Sequence, residues 1–221
     1  MSGNSCATVA NAPISAIGND DSPIGNAHRD SNSLLLHVCC GPCAVMPVIH
    51  LKQEGYAVTA WYMNPNIHPL TEYLRRREAA GQCAAILGIP IIYADETWNI
   101  TSWLRAVAGR DTVPARCHYC CTSRMEAAYA FASQHGFAFF SSSLLYSRYQ
   151  PHEVIKSAGE RLSASYGGTS FVYRDFRENW QEGIDRSKDM GLYRQPYCGC
   201  IYSEAERYQK RLSRCLASKS S

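Results

Sequence analysis

Leu34-Leu35-Leu36-His37-Val38-Cys39-Cys40-Gly41-Pro42-Cys43 is the stretch on which the reading of this chain turns: an apolar run that stops in three cysteines within five positions. Buried-type residues running into Gly-Pro predict a core strand that ends in a turn. Whatever follows such a strand sits at the carboxyl edge of a sheet, where open α/β sheets hold their ligands.

Working outward, Ala44 to Glu54 reads as a helix closed by Gly55, and Tyr56 to Met63 as a second strand rich in aromatic and β-branched residues. The two prolines of Asn64-Pro65-Asn66-Ile67-His68-Pro69 predict a loop at the same edge. A helix then runs to Gly88, with Thr71 as N-cap, Leu74, Gly81, Ala84 and Leu87 on a buried stripe, and Arg75, Arg76 and Arg77 on a solvated face. Ile89 to Ala94 is a third strand and Trp98 to Ala108 a further helix. A helix from about Cys117 to His135, stopped by Gly136, leads into the strand Phe137 to Ser141. This alternation predicts an α/β fold, a Rossmann-like parallel sheet with helices on both faces. Beyond Ser147 a mainly helical C-terminal part is expected, with helices at His152 to Ser163, Glu178 to Met190 and Glu204 to Leu216. A capping box, Ser203-Glu204-Ala205-Glu206, opens the last of them. Residues 34–216 are expected to form a single α/β catalytic domain between a disordered polar tail over 1–33 and a short tail over 217–221.

The chain has 221 residues, 46% of them hydrophobic, enough to bury a sizeable core. A formal net charge of +3 gives no warrant for nucleic-acid binding, so local arginine density must carry that case. The N-terminal segment shows no basic stretch followed by an apolar one, and no run approaches membrane-span length, so a cytoplasmic protein without membrane contact is expected. Thiols stay reduced there, and eleven cysteines, an odd number, point to metal or redox chemistry rather than a disulfide framework.

Two more thiol clusters accompany the first, Cys117-His118-Tyr119-Cys120-Cys121 and Cys198-Gly199-Cys200. Cys117 and Cys120 share a helix face and are expected in its first turn, where the dipole favours thiolate. Setting aside Cys6, Cys83, Cys121 and Cys215 as structural or incidental leaves seven: Cys39, Cys40, Cys43, Cys117, Cys120, Cys198 and Cys200. A zinc site or a cubane uses four, so the surplus suggests two metal centres or one centre plus redox-active thiols. Adjacent side chains diverge, so Cys39 and Cys40 are expected to serve different metals on either side of the turn. His37 is expected to be a core histidine, while His68 and His118 are candidates for proton donation.

With these clusters in place the sequence resembles the QueH-type epoxyqueuosine reductases over nearly all of residues 34–212. The resemblance is carried by His37 to Cys43, by Asn64 to Pro69 with Glu72-Tyr73-Leu74, and by Arg116-Cys117 to Cys120. It continues in Phe176-Arg177, Gly183-Ile184, Ser187-Lys188, and Gly191-Leu192-Tyr193-Arg194-Gln195 with Tyr197-Cys198-Gly199-Cys200. The resemblance implies a tRNA-modifying oxidoreductase that reduces epoxyqueuosine to queuosine at the wobble position, with a 4Fe-4S cluster beside a mononuclear iron. It implies that Cys39 or Cys40, Cys117, Cys120 and one of Cys198 and Cys200 hold the cluster. Cys43 stands where some members carry Asp. The implied partners are a tRNA anticodon stem-loop carrying epoxyqueuosine and an electron donor that the sequence does not identify.

For the tRNA, Arg75 to Arg77, Arg148, Arg174, Arg177 and Arg194 are candidate contacts, with Tyr146, Tyr149, Tyr173, Tyr193 and Trp180 available to stack bases. Tyr193, Arg194 and His68 are the candidate catalytic residues; Asn64, Asn66, Glu72 and His152 are placed at the site's edge. Two other functions compete. A tRNA sulfur-transfer or adenylating enzyme needs a Gly- and Ser-rich phosphate loop after the first strand, which Cys39 to Cys43 is not. A zinc-stabilised nucleic-acid binding module would use the same thiols without iron.

Overall fold

The computed structural model describes residues 30–110 and 112–217; most of the expected N-terminal tail, with Cys6, and residues 218–221 lie outside them. Strand β1 (Ser33–His37) is buried along its whole length, as an apolar run without alternation requires of a strand covered on both faces. It pairs in parallel with β2 (Ala57–Tyr62) on one side, Leu35 opposite Thr59, and with β4 (Phe139–Ser142) on the other, Leu35 opposite Phe140. β3 (Ile91–Tyr93) and β5 (Ser170–Phe171) complete a parallel sheet in the order β3-β2-β1-β4-β5. The expected Rossmann-like α/β fold is what forms. β5, a two-residue edge strand, was hidden within the stretch expected to be helical.

The order reverses at β1, so right-handed crossovers send the helices before β3 and after β4 to opposite faces. α1 (Gly41–Gln53) packs with α2 (Leu70–Leu87) and α6 (Trp180–Asp189), while α4 (Val113–Gln134) packs with α5 (His152–Tyr166). The carboxyl ends of β1 and β4 lie side by side at the reversal, where the chains leaving them part and open a crevice. α3 (Ile100–Val107) and α7 (Ile201–Ala217) are the remaining α-helices among the described residues, and three short 3-10 turns lie at Asp95–Thr97, Ser143–Tyr146 and Phe176–Asn179. Among the described residues no helix is long and apolar enough to cross a membrane.

Four helices start earlier than expected, whereas α3 and α6 start two residues later, at Ile100 and Trp180. α1 begins at Gly41-Pro42, because proline at the first positions forfeits only an N-H that has no intrahelical partner anyway. α4 begins at Val113-Pro114 for the same reason, which puts Cys117 and Cys120 beyond the first turn rather than in it. α7 begins at Ile201, so Ser203 stands inside its first turn; the Ser203 hydroxyl accepts from the Gly199 N-H at 3.2 Å and donates to the Cys200 carbonyl at 2.8 Å. α2 is preceded by Pro69, with Thr71 already helical and making no cap.

α2 also turns a different face inward. Leu74 is 51% exposed, whereas Arg76, expected in solvent, is 2% exposed. Ala79, Ala80, Cys83 and Ala84 make a flat buried strip beside it. The close approach of α1 explains the choice: a Cβ on Gly41 would collide with the Ala79 carbonyl, so only small residues fit between the helices. Cys83 is core packing, as expected.

Candidate metal centres

Cys39 follows β1, Cys40 is the extended residue capping α1, and Cys43 stands in the first helical turn. The sharp change from strand to helix swings neighbouring side chains together, and the three sulfurs lie within 4.8 Å of one another. The expected divergence of Cys39 and Cys40 is therefore overturned; their Sγ atoms are 3.9 Å apart. Cys39 is the most acidic thiol of the trio: neighbouring Cys40 and Cys43 thiols, then the Ser143 hydroxyl, hold its pKa well below the usual thiol range. Burial pushes the Cys40 thiol up, and the hydrogen bond to Cys39 pushes Cys43 up. Gln195 reaches in from the C-terminal part, its Nε2 2.9 Å from the Cys40 Sγ. Three soft donors converging on one point are a set for a thiophilic ion.

The remaining thiols gather next door. Cys117 and Cys120 from α4 line one recess with Cys198 and Cys200, together with Asn66, Trp103 and Arg116. Burial raises the thiol pKa of Cys117 and pushes that of Cys120 up to about 12, so both are protonated in the absence of a metal and would release protons on binding one. The turn that carries Cys198 and Cys200 is held by Arg76, whose guanidinium donates to the Cys198 carbonyl at 2.8 Å and the Tyr197 carbonyl at 3.1 Å. Glu72 accepts from Arg76 Nε and from the Tyr193 hydroxyl, both at 2.7 Å, completing a buried clamp. Gly199 has φ +142°, and a Cβ there would press on Ile67 and Arg76, so glycine is required between the two cysteines.

Arg124 and Gln150 stand between the two thiol groups. Arg124 is 3% exposed; its Nε donates to the Cys120 carbonyl at 2.8 Å and its Nη2 lies 3.8 Å from the Cys121 Sγ. Among the described residues no carboxylate pairs with it. Gln150 Nε2 sits 3.2 Å from the Cys198 Sγ, and its Oε1 accepts from the Cys121 thiol. Cys121, set aside in the sequence as structural or incidental, therefore lines the recess as well. Arg124, Gln150 and Cys198 border both the recess and a larger cavity of about 700 Å³ at the carboxyl edge of the sheet, where Cys39 and Cys43 lie exposed to its interior.

The wall opposite the thiols is aromatic. Tyr146 stacks on Trp180 with ring centroids 5.0 Å apart, Tyr149 meets Trp180 edge-on, and the Arg148 guanidinium lies 5.6 Å over the same ring. Gly183 of α6 is what lets Tyr146 in, since a Cβ there would overlap its hydroxyl. Arg194 borders the cavity and is oriented by the Ser187 hydroxyl at 2.8 Å. Other candidates lie elsewhere: Arg174 pairs with Glu54, Arg77 with Asp95, and Tyr173 with His152. His37 is a buried core histidine, bonded to Ser142 and the Met63 carbonyl, and burial lowers its pKa to about 4. His68 is fully buried against Trp103 at 4.8 Å and borders neither the cavity nor the recess; His118 is exposed.

The family model described as Epoxyqueuosine reductase QueH matches residues 34–206, most of the chain. The chain belongs to that family. Its QueH relatives include that of Dehalococcoides mccartyi, 36% identical over 177 residues that make up 80% of this chain and 95% of the relative. The QueH of Histophilus somni is 39% identical over 78% of this chain and 72% of its own, and that of Thermotoga maritima 33% over 80% and 93%.

Several residues of this QueH site were not read from the sequence as site residues. Arg124 is four positions after Cys120 and seven after Cys117, a helical spacing that puts it on the thiol face and was available as a signal. Gln195 gave only its proximity to Cys198. Gln150 and the burial of Arg76 left no trace in local pattern, because both depend on elements that meet only in the folded chain.

Proposed function

We propose that this chain reduces epoxyqueuosine to queuosine in the wobble position of a tRNA. The observation that carries the proposal is a pair of thiol groups beside one cavity with an aromatic, arginine-bearing wall, the first lining it through Cys39 and Cys43 and the second, in the adjoining recess, meeting it at Cys198 beside Arg124 and Gln150. Cys117, Cys120, Cys198 and Cys200 fit a 4Fe-4S cluster, four of the five thiols that line one recess, the fifth, Cys121, being engaged by Gln150, with a buried, carboxylate-free Arg124 to balance the charge of a thiolate-bound cluster. Cys39, Cys40 and Cys43 fit a single iron. This partition differs from the one the resemblance implied, since it sends Cys39 and Cys40 together to the single ion. When bound, the two groups would supply electrons one at a time and a Lewis acid for the epoxide oxygen.

The balance of the reaction is two electrons and two protons in, both C–O bonds of the epoxide broken and one C=C bond formed, and alkene and water out. The chain's own residues prepare that step. Tyr146 and Trp180 offer a face on which an unstacked base can lie, with Arg148 and Arg194 placed for its phosphates. Gln195 and Gln150 orient Cys40 and Cys198, and Arg124 fixes the electrostatic level of both thiol groups. Tyr193 acts as a positioning residue through Glu72 and Arg76, and His68 as packing beneath the 64–69 loop.

The test is anaerobic purification followed by metal analysis and turnover of an anticodon stem-loop containing epoxyqueuosine, with dithionite as reductant and nucleoside mass spectrometry as readout. We expect about five irons per chain, four in a cubane, and queuosine as product. Zinc in place of iron, or persistence of the epoxide with a fully loaded protein, would overturn the proposal.

A further inference from the structure

α7 starts at the site and leaves it. Its first turns are docked, with Tyr202 against Trp103 and the Glu206 carboxylate 2.7 Å from the buried Arg116. From Gln209 to Leu216 every side chain is exposed. Arg207, Lys210, Arg211 and Arg214 recur along α7 at i, i+3, i+4 and i+7, which places them on one face of the helix. Among the described residues no carboxylate lies within ion-pair distance of any of the four. Arg207, the first, lines the large cavity. The row therefore begins at the mouth of the site and runs outward for about 10 Å, seven residues at the helical rise.

We propose that this basic row holds the phosphate backbone of the tRNA stem while the wobble nucleoside enters the cavity. The proposal rests on the tRNA reading above and extends it from the cavity to the rest of the substrate. Four cations without a carboxylate partner on one exposed face repel one another, Arg211 resting over the Tyr208 ring at 5.7 Å, and a polyanion lying along them relieves that repulsion. A nucleic-acid backbone continuous with a base in the cavity supplies that charge at the right end of the row. The opposite side of the helix carries Leu212 and Leu216, 61% and 60% exposed, and would stay clear of the backbone.

The test uses the iron-loaded protein and the triple variant Lys210→Gln, Arg211→Gln, Arg214→Gln, which leaves the cavity-lining Arg207 in place. Affinity for full-length tRNA is measured by filter retention across a salt series, beside turnover of that tRNA and of a short single-stranded oligonucleotide bearing the same nucleoside. For the variant we expect at least a roughly tenfold weaker Kd near about 0.1 M salt and a dependence of log Kd on log salt shallower by about 2. Iron content, kcat with dithionite and use of the short oligonucleotide should not change. Unchanged tRNA affinity and salt slope would overturn the proposal. So would a loss confined to assays in which an acidic protein reductant replaces dithionite, which would assign the row to the electron donor, or a change in oligomeric state alone. A wild-type protein that binds tRNA with the steep slope yet leaves every epoxide intact would sink the function proposed above and spare this one.

Discussion

At the scale of single residues, Arg124 sets the clearest expectation, because a guanidinium this deeply buried needs an anion and the described residues offer only sulfur. Arg124→Gln should keep the iron count but make the cluster harder to reduce, with a more negative midpoint in spectroelectrochemical titration. Turnover should fall roughly tenfold, the equivalent of about 1.4 kcal/mol of lost charge stabilisation. The partition of thiols makes a second prediction: Cys120→Ser should remove the visible cluster absorbance and most of the iron, while Cys43→Ala should leave about four irons and the absorbance but abolish turnover. Anaerobic iron and sulfide analysis separates the two. His68 supplies a third. Burial lowers its pKa to about 4, so it is neutral when folded and charged below about 6.5 when unfolded. Its contribution to stability is therefore complete above that unfolded value and declines as pH falls from there toward 4. Its ring resonances in the NMR spectrum should not titrate between pH 8 and about 5, and a midpoint near 6.5 would show that the ring reaches solvent.

At the scale of elements, the turn from Tyr197 to Cys200 is held by one buried arginine and one obligatory glycine. Arg76→Gln strands the Cys198 and Tyr197 carbonyls together with the Glu72 carboxylate, and should cost about 3 kcal/mol in denaturant unfolding while loosening the cluster against chelators. Gly199→Ala should show the same chelator sensitivity through backbone strain. These elements also mark where sequence reading stopped. β1, β2 and the 64–69 loop were legible because an apolar run, an aromatic β-branched run and two prolines each allow few alternatives. The start of α1 was placed late because Pro42 was read as part of the turn, and that of α4 because the helix was begun at Cys117, whereas Pro42 and Pro114 are both first-turn residues. The buried face of α2 was misread because Leu74 outranks Arg76 on hydrophobicity alone. What decided the matter was the close approach of Gly41 to Ala79, a contact between two helices that no single helix records.

At the scale of the whole molecule, the carboxyl edge of the sheet was foreseeable as the site, since the order reversal at β1 opens a crevice there in any fold of this topology. That seven thiols form a trio and a quartet was not foreseeable, because the assignment depends on which way the turn after β1 swings Cys39 and Cys40. Removal of metal with a chelator under reducing conditions should lower the melting temperature and expose the 196–204 segment to limited proteolysis before the sheet is cut, since that segment is held by the clamp and by its thiols. The recess draws its sulfurs from α4 and from a turn close to the end of the fold, and this has a consequence for biosynthesis. A ribosome releases Cys117 and Cys120 long before Cys198 and Cys200, so a nascent chain presents half of the proposed ligand set. On that assignment a cluster can close only after translation has passed the final turn, and the recess lacks two of its sulfurs in the interval.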